Sequence, residues 1–285
     1  MAMYSRGLGS SIGDELIANQ PLYITGNVWY VSNAVPENNY HDGLDRRAPF
    51  FRLADAIEAA SGGDTIVLMD GHDEIVPQTQ TIDKRLTLVG EGRVDGMPSP
   101  KLTPGHESGA LLSCEETVHL RNIRVMPREE ASATASIYLD AAECTLENVW
   151  LEGDEDSTGA VLQGTASATS LRIVDCTIVA VEPLKTQLTF HRRPQIGFLY
   201  AGAGDLWIDG LVLDGGAYGW EQAAMEGIEA ITNIYAKRVS LLRRSVMKLK
   251  EGTLGWVMPT SASGGGRVVW PEGGSSGALV NPAVP

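Results

Sequence analysis

The densest run of groups able to bind a cation or act on a sugar is a short acidic stretch from Glu152 to Asp156. It follows an apolar segment that reads as a strand, so its carboxylates fall in the turn after that strand. Carboxylate oxygens are preferred ligands of Ca²⁺, and carboxylates also carry the chemistry of glycan cleavage. Asp154 and Asp156 are therefore candidate metal ligands. A solvated acidic turn without a ligand is the alternative.

A second cluster combines carboxylates with tryptophans. Asp209 and Asp214 lie in one segment of alternating character, with Trp207 before them and Trp220 after them. Successive side chains of a strand point to opposite faces, so Trp207 and Asp209 share one face and Ile208 takes the other. An exposed tryptophan offers an apolar ring surface with a polar edge, which suits a sugar ring. These two aspartates and two tryptophans are candidate glycan-binding residues, and a surface or subunit contact is the alternative.

The cysteines do not indicate a metal or redox site. Cys114, Cys144 and Cys176 are an odd number and contain no CxxC pair. Such spacing argues against a disulfide framework and against zinc. Each cysteine lies in an apolar segment, which predicts a small buried core residue. No cofactor is expected.

The element that must position the candidate residues is a short repeat. From Leu86 onward, apolar residues, a polar or glycine residue and further apolar residues recur at intervals of 26 to 35 residues. A repeat of this length without helical periodicity predicts an all-β solenoid, a parallel β-helix. One interior row is predicted to contain Leu120, Leu146, Ile173 and Ile208. The predicted bends between strands fall at residue types that tolerate left-handed backbone, namely Asn122, Asn148, Asp175 and Gly210.

The repeat divides the chain into three parts. Residues 1–20 read as a flexible N-terminal arm, residues 21–250 as the β-helix, and residues 251–285 as a Gly-rich tail. Within the solenoid, residues 50–60 read as an amphipathic helix. An open solenoid end exposes core, so this helix is predicted to cap the N-terminal end.

The predicted tail contains two short apolar islands, around Trp256 and Trp270. Ordering a Gly-rich segment costs conformational entropy that burial of an aromatic ring can offset. Trp256 and Trp270 are therefore predicted to anchor the tail on a partner protein.

Charge and hydropathy exclude several partners. The formal net charge is −14 at pH 7, and because phosphate repels carboxylate, nucleic acid is not an expected partner. No segment approaches the roughly 20 apolar residues that span a bilayer, so no membrane association is expected. Met1 to Gln20 shows no apolar run after a basic start. We therefore expect a protein made in a host cytoplasm and released inside an assembled particle.

Several segments in the first third of the chain carry a resemblance to a known family. They are Trp29-Tyr30-Val31-Ser32, Asp42-Gly43, Pro49-Phe50, Ala56-Ile57-Glu58-Ala59-Ala60, Gly63-Asp64-Thr65-Ile66 and Leu86-Thr87-Leu88-Val89-Gly90-Glu91-Gly92. These segments resemble the N-terminal part of pectate-lyase-like, right-handed parallel β-helix proteins, including bacteriophage tail and virion proteins. The resemblance implies a right-handed parallel β-helix located in the virion. It further implies a structural protein on the surface of a phage-like particle, a capsid decoration or attachment protein, contacting other capsid or tail proteins and forming a homotrimer.

A glycan-binding or glycan-cleaving tail protein of the tailspike type is the alternative. The signatures of pectin hydrolases, Asn-Thr-Asp, Gly-His-Gly and Arg-Ile-Lys, do not occur in the sequence. His41, His72, His106 and His119 stand in polar or turn contexts and are expected to be solvated. No catalytic residue is assigned. The sequence favours a non-enzymatic protein over a polysaccharide lyase or glycoside hydrolase.

Overall fold

The fold is described from a computed structural model. It describes residues 26–34, 41–106, 109–126, 135–141, 143–153, 161–165, 167–168, 170–179, 198–201, 204–214, 222–227, 233–242, 245–248, 254–262, 267–269 and 279–280. For strand residues 135–136, 222–227, 233, 245–248, 254–262, 267–269 and 279–280 the description is limited to the backbone.

Short strands account for nearly all of the regular structure. The single helix of the described residues is α1, Leu53–Ala59. The strands are β1 Val28–Val31, β2 Thr65–Leu68, β3 Asp73–Val76, β4 Gln80–Ile82, β5 Leu86–Gly90, β6 Arg93–Val94, β7 Met97–Pro98, β8 Lys101–Pro104, β9 Ala110–Cys114, β10 Val118–Arg121, β11 Arg124–Val125, β12 Ala135–Leu139, β13 Glu143–Glu147, β14 Trp150–Glu152, β15 Leu162–Gly164, β16 Ser170–Val179, β17 Phe198–Tyr200, β18 Asp205–Asp214, β19 Gln222–Gly227, β20 Asn233–Leu242, β21 Ser245–Lys248, β22 Leu254–Ala262, β23 Arg267–Val269 and β24 Leu279–Val280.

The strands of successive turns stack into three faces of the solenoid. The first face stacks β1, β2, β5, β10, β13 and β16 in that order, and the second stacks β3, β8, β11, β14 and β16. From β16 onward one long strand serves both faces, so the two are joined into a single 14-stranded sheet. The third face is an eight-stranded sheet running from β4 to β23. Apart from the antiparallel β6–β7 hairpin, the paired strands are parallel, which confirms the predicted parallel β-helix.

The interior row has the predicted composition. Leu120 pairs in register with Leu146, Leu146 with Ile173, and Ile173 with Ile208. Each of these four side chains is at most 1% exposed. Stacking identical or similar aliphatic residues lets every turn bury its apolar side on the next one, which is why no single turn needs a core of its own.

The corner between the first and second faces uses the residue types predicted for it. Asn122, Asn148, Asp175 and Gly210 have φ values of 53°, 50°, 49° and 84°. Asn122 donates its side-chain amide to Gly90 O at 2.7 Å, and Asn148 donates to Asn122 Oδ1 at 2.5 Å. The amide side chain therefore binds the adjacent turn while its backbone makes the bend. Arg238, with φ 53°, takes the same corner in a later turn and was not predicted.

The helix at the N-terminal end is shorter than predicted. It begins at Leu53 rather than at residue 50, because Phe50 is held in extended conformation beside Val31 and stacks on Trp29. Leu53, Ala56 and Ile57 are buried. These side chains join the core next to β1, the outermost strand of the first face.

The start of this helix is held by a buried pair, His72 and Glu74. Glu74 lies in β3 and His72 in the turn before it. The Glu74 carboxylate accepts the Leu53 N–H at 2.9 Å, in place of a local N-cap side chain. The backbone N–H of Asn33 donates to His72 Nδ1 at 3.2 Å, so the ring proton lies on Nε2 and faces Glu74 at 3.0 Å. His72 is fully buried, and the expectation that it is solvated is therefore wrong.

Asp64 joins the first two strands at the same end. Its carboxylate accepts N–H groups from Asn27 at 2.7 Å, Ser61 at 2.9 Å and the Trp29 indole at 2.8 Å. Burial acts to raise the pKa of Asp64, but hydrogen bonds led by that of Ser61 outweigh it and hold the pKa below its ordinary value. The side chain is 3% exposed, so this carboxylate is a structural link between turns.

The C-terminal boundary of the solenoid lies beyond residue 250. Strands β22, β23 and β24 fall in the predicted tail, and β22 pairs with β20 so that Val257 stands in register with Ala236. The prediction of a tail over 251–285 is wrong for these strands, because their valine and tryptophan residues favour extended backbone. The predicted arm, residues 1–20, lies outside the described residues. In the described part of the chain no helix is long and apolar enough to cross a membrane.

Candidate functional site

The outward side of the first face carries two parallel rows of side chains. One row runs through His119, Thr145, Arg172, Trp207 and Tyr235, which are in register from β10 to β20. Two positions further along each strand, the second row contains Arg121, Glu147, Val174, Asp209 and Lys237. Because strand residues alternate between faces, these rows point away from the core that Leu146 and Ile208 fill.

Two aromatic rings stand next to each other on this outward side. Trp207 is 46% exposed and Tyr235 is 40% exposed, and their ring centroids are 5.1 Å apart with an interplanar angle of 35°. Ile208, between the two rows, is fully buried, as the alternation predicts. Two adjacent half-exposed rings give an apolar strip with polar ring edges, which is a surface suited to sugar rings.

Asp209 lies beside this aromatic pair and is already bound by two cations. Lys237 Nζ is 2.7 Å from Oδ2, and Arg238 Nε is 2.6 Å from Oδ1. Burial opposes ionisation, but the hydrogen bonds from Lys237 and Arg238 lower the pKa of Asp209 overall. Asp209 is therefore a fixed anion that orients Lys237 and Arg238. The prediction did not include these two cations, because they come from the next turn of the solenoid.

A groove of about 750 Å³ opens on the same face, towards the N-terminal end. Its lining includes the imidazole of His119 and four charged side chains, Arg85, Glu143, Glu147 and Arg172. Glu147 is 3.4 Å from His119 Nε2 and 3.5 Å from Arg121 Nε. The close contact with His119 is the main cause that lowers the pKa of Glu147, against burial, with Arg121 and Arg172 adding to it. His119 is thus in contact with a carboxylate of this cluster and is not simply solvated.

The predicted site residues divide into two groups. Trp207, Asp209 and Asp214 are described, and Asp214 ends β18 in register with Val179 and Leu242, directly after the buried Leu213. The backbone of Trp256 lies in β22 and pairs in register with that of Tyr235. Outside the described residues are Asp154, Asp156, Trp220 and Trp270. In the described part of the chain no group of three or more metal-binding side chains could hold an ion.

Comparison with known proteins gives little beyond the architecture. No protein-family model matches the chain, and no curated protein matches it. Among solved structures, the crystal structure of pectate lyase Pel9A is similar, at 12% sequence identity and a TM-score of 0.40, over 90% of this chain and 79% of that chain. A similarity of this size transfers neither activity nor ligand.

Proposed function

We propose that this chain is a structural protein of a phage-like virion, a capsid decoration or attachment protein displayed on the particle surface. The support is the resemblance of its N-terminal segments, from Trp29 to Gly92, to phage β-helix proteins. A stack of parallel turns is a stiff shaft that can present a surface at a distance from its anchor. On this proposal the partners are other capsid or tail proteins, and the protein is a homotrimer.

Attachment is the role that the geometry favours over decoration alone, and one observation carries it. Trp207 and Tyr235 are in register with their ring centroids 5.1 Å apart, and both are nearly half exposed on the outward side of the sheet. A ligand that covers these rings removes from water the apolar area that the folded chain leaves exposed, which favours binding. We propose that this pair binds a glycan of the host surface. No catalytic group is assigned.

The virion proposal is tested on purified particles. Mass spectrometry should find the chain in them at a stoichiometry fixed relative to the major capsid protein. Light scattering of the isolated chain should give a mass three times 30.5 kDa. Absence from particles would overturn the virion assignment, and a monomeric mass would overturn the trimer.

The glycan proposal is tested by binding to an array of bacterial surface polysaccharides. Trp207→Ala should weaken binding about fivefold, since an aromatic contact contributes about 1 kcal/mol and a factor of ten is about 1.4 kcal/mol. Leu44→Ala is the matched control, because Leu44 is also an exposed apolar side chain, at 54%, but lies near the N-terminal end. Equal loss in both variants, or no loss in Trp207→Ala, would contradict the proposed site.

A further inference from the structure

Two edge strands of the 14-stranded sheet, β1 and β3, lie at the N-terminal end of the solenoid and are closed in different ways. An open edge offers free N–H and C=O groups to any other extended chain. Backbone covers the edge of β1, since Tyr30 N–H donates to Gly43 O at 2.7 Å and Phe50 N–H to Tyr30 O at 2.8 Å. In the described part of the chain no strand lies beside the outer edge of β3. The closure of β3 therefore depends on side chains.

The pairing of β3 with β8 determines which backbone groups face this outer edge. Lys101 N–H donates to His72 O at 2.8 Å, so the carbonyl of His72 faces β8. Because successive residues of a strand turn their backbone groups to opposite sides, those of Asp73 and Ile75 face the outer edge. Pro77, the next residue in this alternation, has no N–H. Asp73 and Ile75 are therefore the two residues of β3 with which another chain could pair.

The side-chain amide of Asn33 occupies the half of this edge that belongs to Asp73. Its Oδ1 accepts the Asp73 N–H at 3.0 Å, and its Nδ2 donates to the Asp73 carbonyl. Residues of paired antiparallel strands exchange two bonds in the same way, so the amide takes the place of a neighbouring backbone. The backbone N–H of Asn33 donates to Nδ1 of the buried His72 at 3.2 Å, which fixes the amide at the edge.

The half of the edge that belongs to Ile75 is open. Its outward backbone groups have no hydrogen-bond partner among the described residues. The Ile75 side chain is 58% exposed, more than any other large hydrophobic side chain that the structure describes. A β-branched apolar residue favours strand pairing, and the charge of Asp73, which would oppose it, is offset by Lys101 Nζ at 2.7 Å. Asn33 is thus the main obstacle to pairing at this edge.

We infer that Asn33 is an autoinhibitory contact that keeps β3 from pairing with β3 of a second copy of this chain. Once the amide is removed, two copies can align β3 antiparallel about a two-fold axis at Glu74. Asp73 of each copy then lies opposite Ile75 of the other, and each pair exchanges both N–H···O bonds. A second copy is the favoured occupant because a two-fold contact uses this short edge twice. Such a contact is closed, so it joins two solenoids end to end and does not propagate into a fibre.

The experiment compares Asn33→Ala with the natural protein by sedimentation velocity over a wide range of concentration. The substitution keeps the backbone N–H that binds His72, and circular dichroism checks that the fold is retained. The natural protein, whatever its own assembly state, should keep one mass, and Asn33→Ala should approach twice that mass as the concentration rises. Asn33→Ser, whose hydroxyl cannot make both bonds to Asp73, should behave in the same way.

Hydrogen exchange locates the contact residue by residue. In the natural protein the amide of Asp73 should exchange more slowly than that of Ile75, because only the first has an acceptor. In dilute Asn33→Ala both amides should exchange fast. Both should become protected at the concentrations at which the mass doubles.

Two control variants separate strand pairing from a general loss of stability. Ile75→Asp added to Asn33→Ala should restore the mass of the natural protein, because the new carboxylate would lie opposite Asp73 of the second copy. Asn122→Ala also removes side-chain bonds to backbone carbonyls, at 2.7 and 3.0 Å, but lies at the corner and leaves β3 unchanged. It should not associate.

Three results would overturn the inference. A mass independent of concentration in folded Asn33→Ala and Asn33→Ser would show that the amide blocks nothing. Equal association of Asn122→Ala would show that lost stability, and not the opened edge, causes it. Association that persists in the double variant, with Asp73 and Ile75 still exchanging fast, would place the contact elsewhere on the protein.

Discussion

Replacing Asp64 tests how the first turns of the solenoid are held together. Its carboxylate accepts three N–H groups, from Asn27, Ser61 and Trp29, at 2.7 to 2.9 Å. Asp64→Ala leaves all three donors without this acceptor. Hydrogen bonds to a charged group contribute about 1.5–3 kcal/mol each, and the lower figure suits donors that are only partly buried. We expect the free energy of unfolding to fall by about 4.5 kcal/mol.

Asp64→Asn is the matched variant, because the amide keeps the shape and one accepting oxygen. It should cost about 2 kcal/mol, roughly half as much, since its NH₂ group faces donors instead of accepting from them. Urea unfolding followed by tryptophan fluorescence measures both variants, with Trp29 itself as one reporter. Hydrogen exchange should locate the loss in β1 and β2. A cost below about 1 kcal/mol for Asp64→Ala would refute the assigned role.

The same carboxylate gives a pH signature with a defined sign. The pKa of Asp64 is lower in the folded protein than its ordinary value of 3.8. Its stabilising contribution is therefore complete above pH 3.8 and is lost as the pH falls through the folded-state pKa. The difference in stability between the natural protein and Asp64→Asn should shrink on acidification in that window. A constant difference down to the lowest pH at which both fold would contradict this linkage.

Three further perturbations follow from the solenoid itself. Asn122→Ala should lower the free energy of unfolding by about 2–3 kcal/mol, because alanine is strained at the φ of 53° and the hydrogen bond to Gly90 O is lost. Asn122→Gly should recover the part that is due to backbone strain. Equal costs for the two variants would refute the backbone component. Leu146→Asp should lower the free energy of unfolding by about 3 kcal/mol or more, because it puts an unpaired charge in the core. Thr145→Asp, on the outward side, should lower it by under about 1 kcal/mol. Similar losses in the two variants would mean that the faces are misassigned. Burial raises the thiol pKa to about 11 for Cys144 and about 12 for Cys176. A thiol reagent at pH 8 should therefore label neither cysteine until the protein is unfolded. Fast labelling of the folded chain would contradict their burial.

What the sequence predicts well is whatever repeats from turn to turn. Leu120, Leu146 and Ile173 could be placed in one row because each is followed at the same offset by a corner residue. Asn122 and Asn148 could be assigned left-handed backbone because few residue types adopt it at low cost. These predictions depend on local patterns, and the register of the parallel strands confirms them.

What it misses depends on contacts between segments far apart in the chain. His72 reads as a solvated turn residue, yet with Glu74 it meets Asn33 and Leu53 in a buried network. Arg238 could not be assigned to the corner, since arginine rarely has positive φ. Its ion pairs with Asp209 and Asp175 accompany that conformation. The predicted tail failed for a different reason: the strand at Leu254–Ala262 has few of the aliphatic residues by which the earlier turns were recognised.

The row of residues at the corner between the first and second faces also determines how the number of turns could change during evolution. Leu120 and Leu146 are 26 residues apart and each is followed two positions later by an asparagine. Excision of residues 120–145 would bring Leu146 opposite Leu88 and put Asn148 beside Gly90, with the same side-chain types facing each other as before. An excision around Gly210 would instead separate Arg238 from Asp209 and Asp175. Insertions and deletions of whole turns should accordingly accumulate among relatives in the N-terminal half, while the turns from Asp175 to Arg238 are inherited as one block.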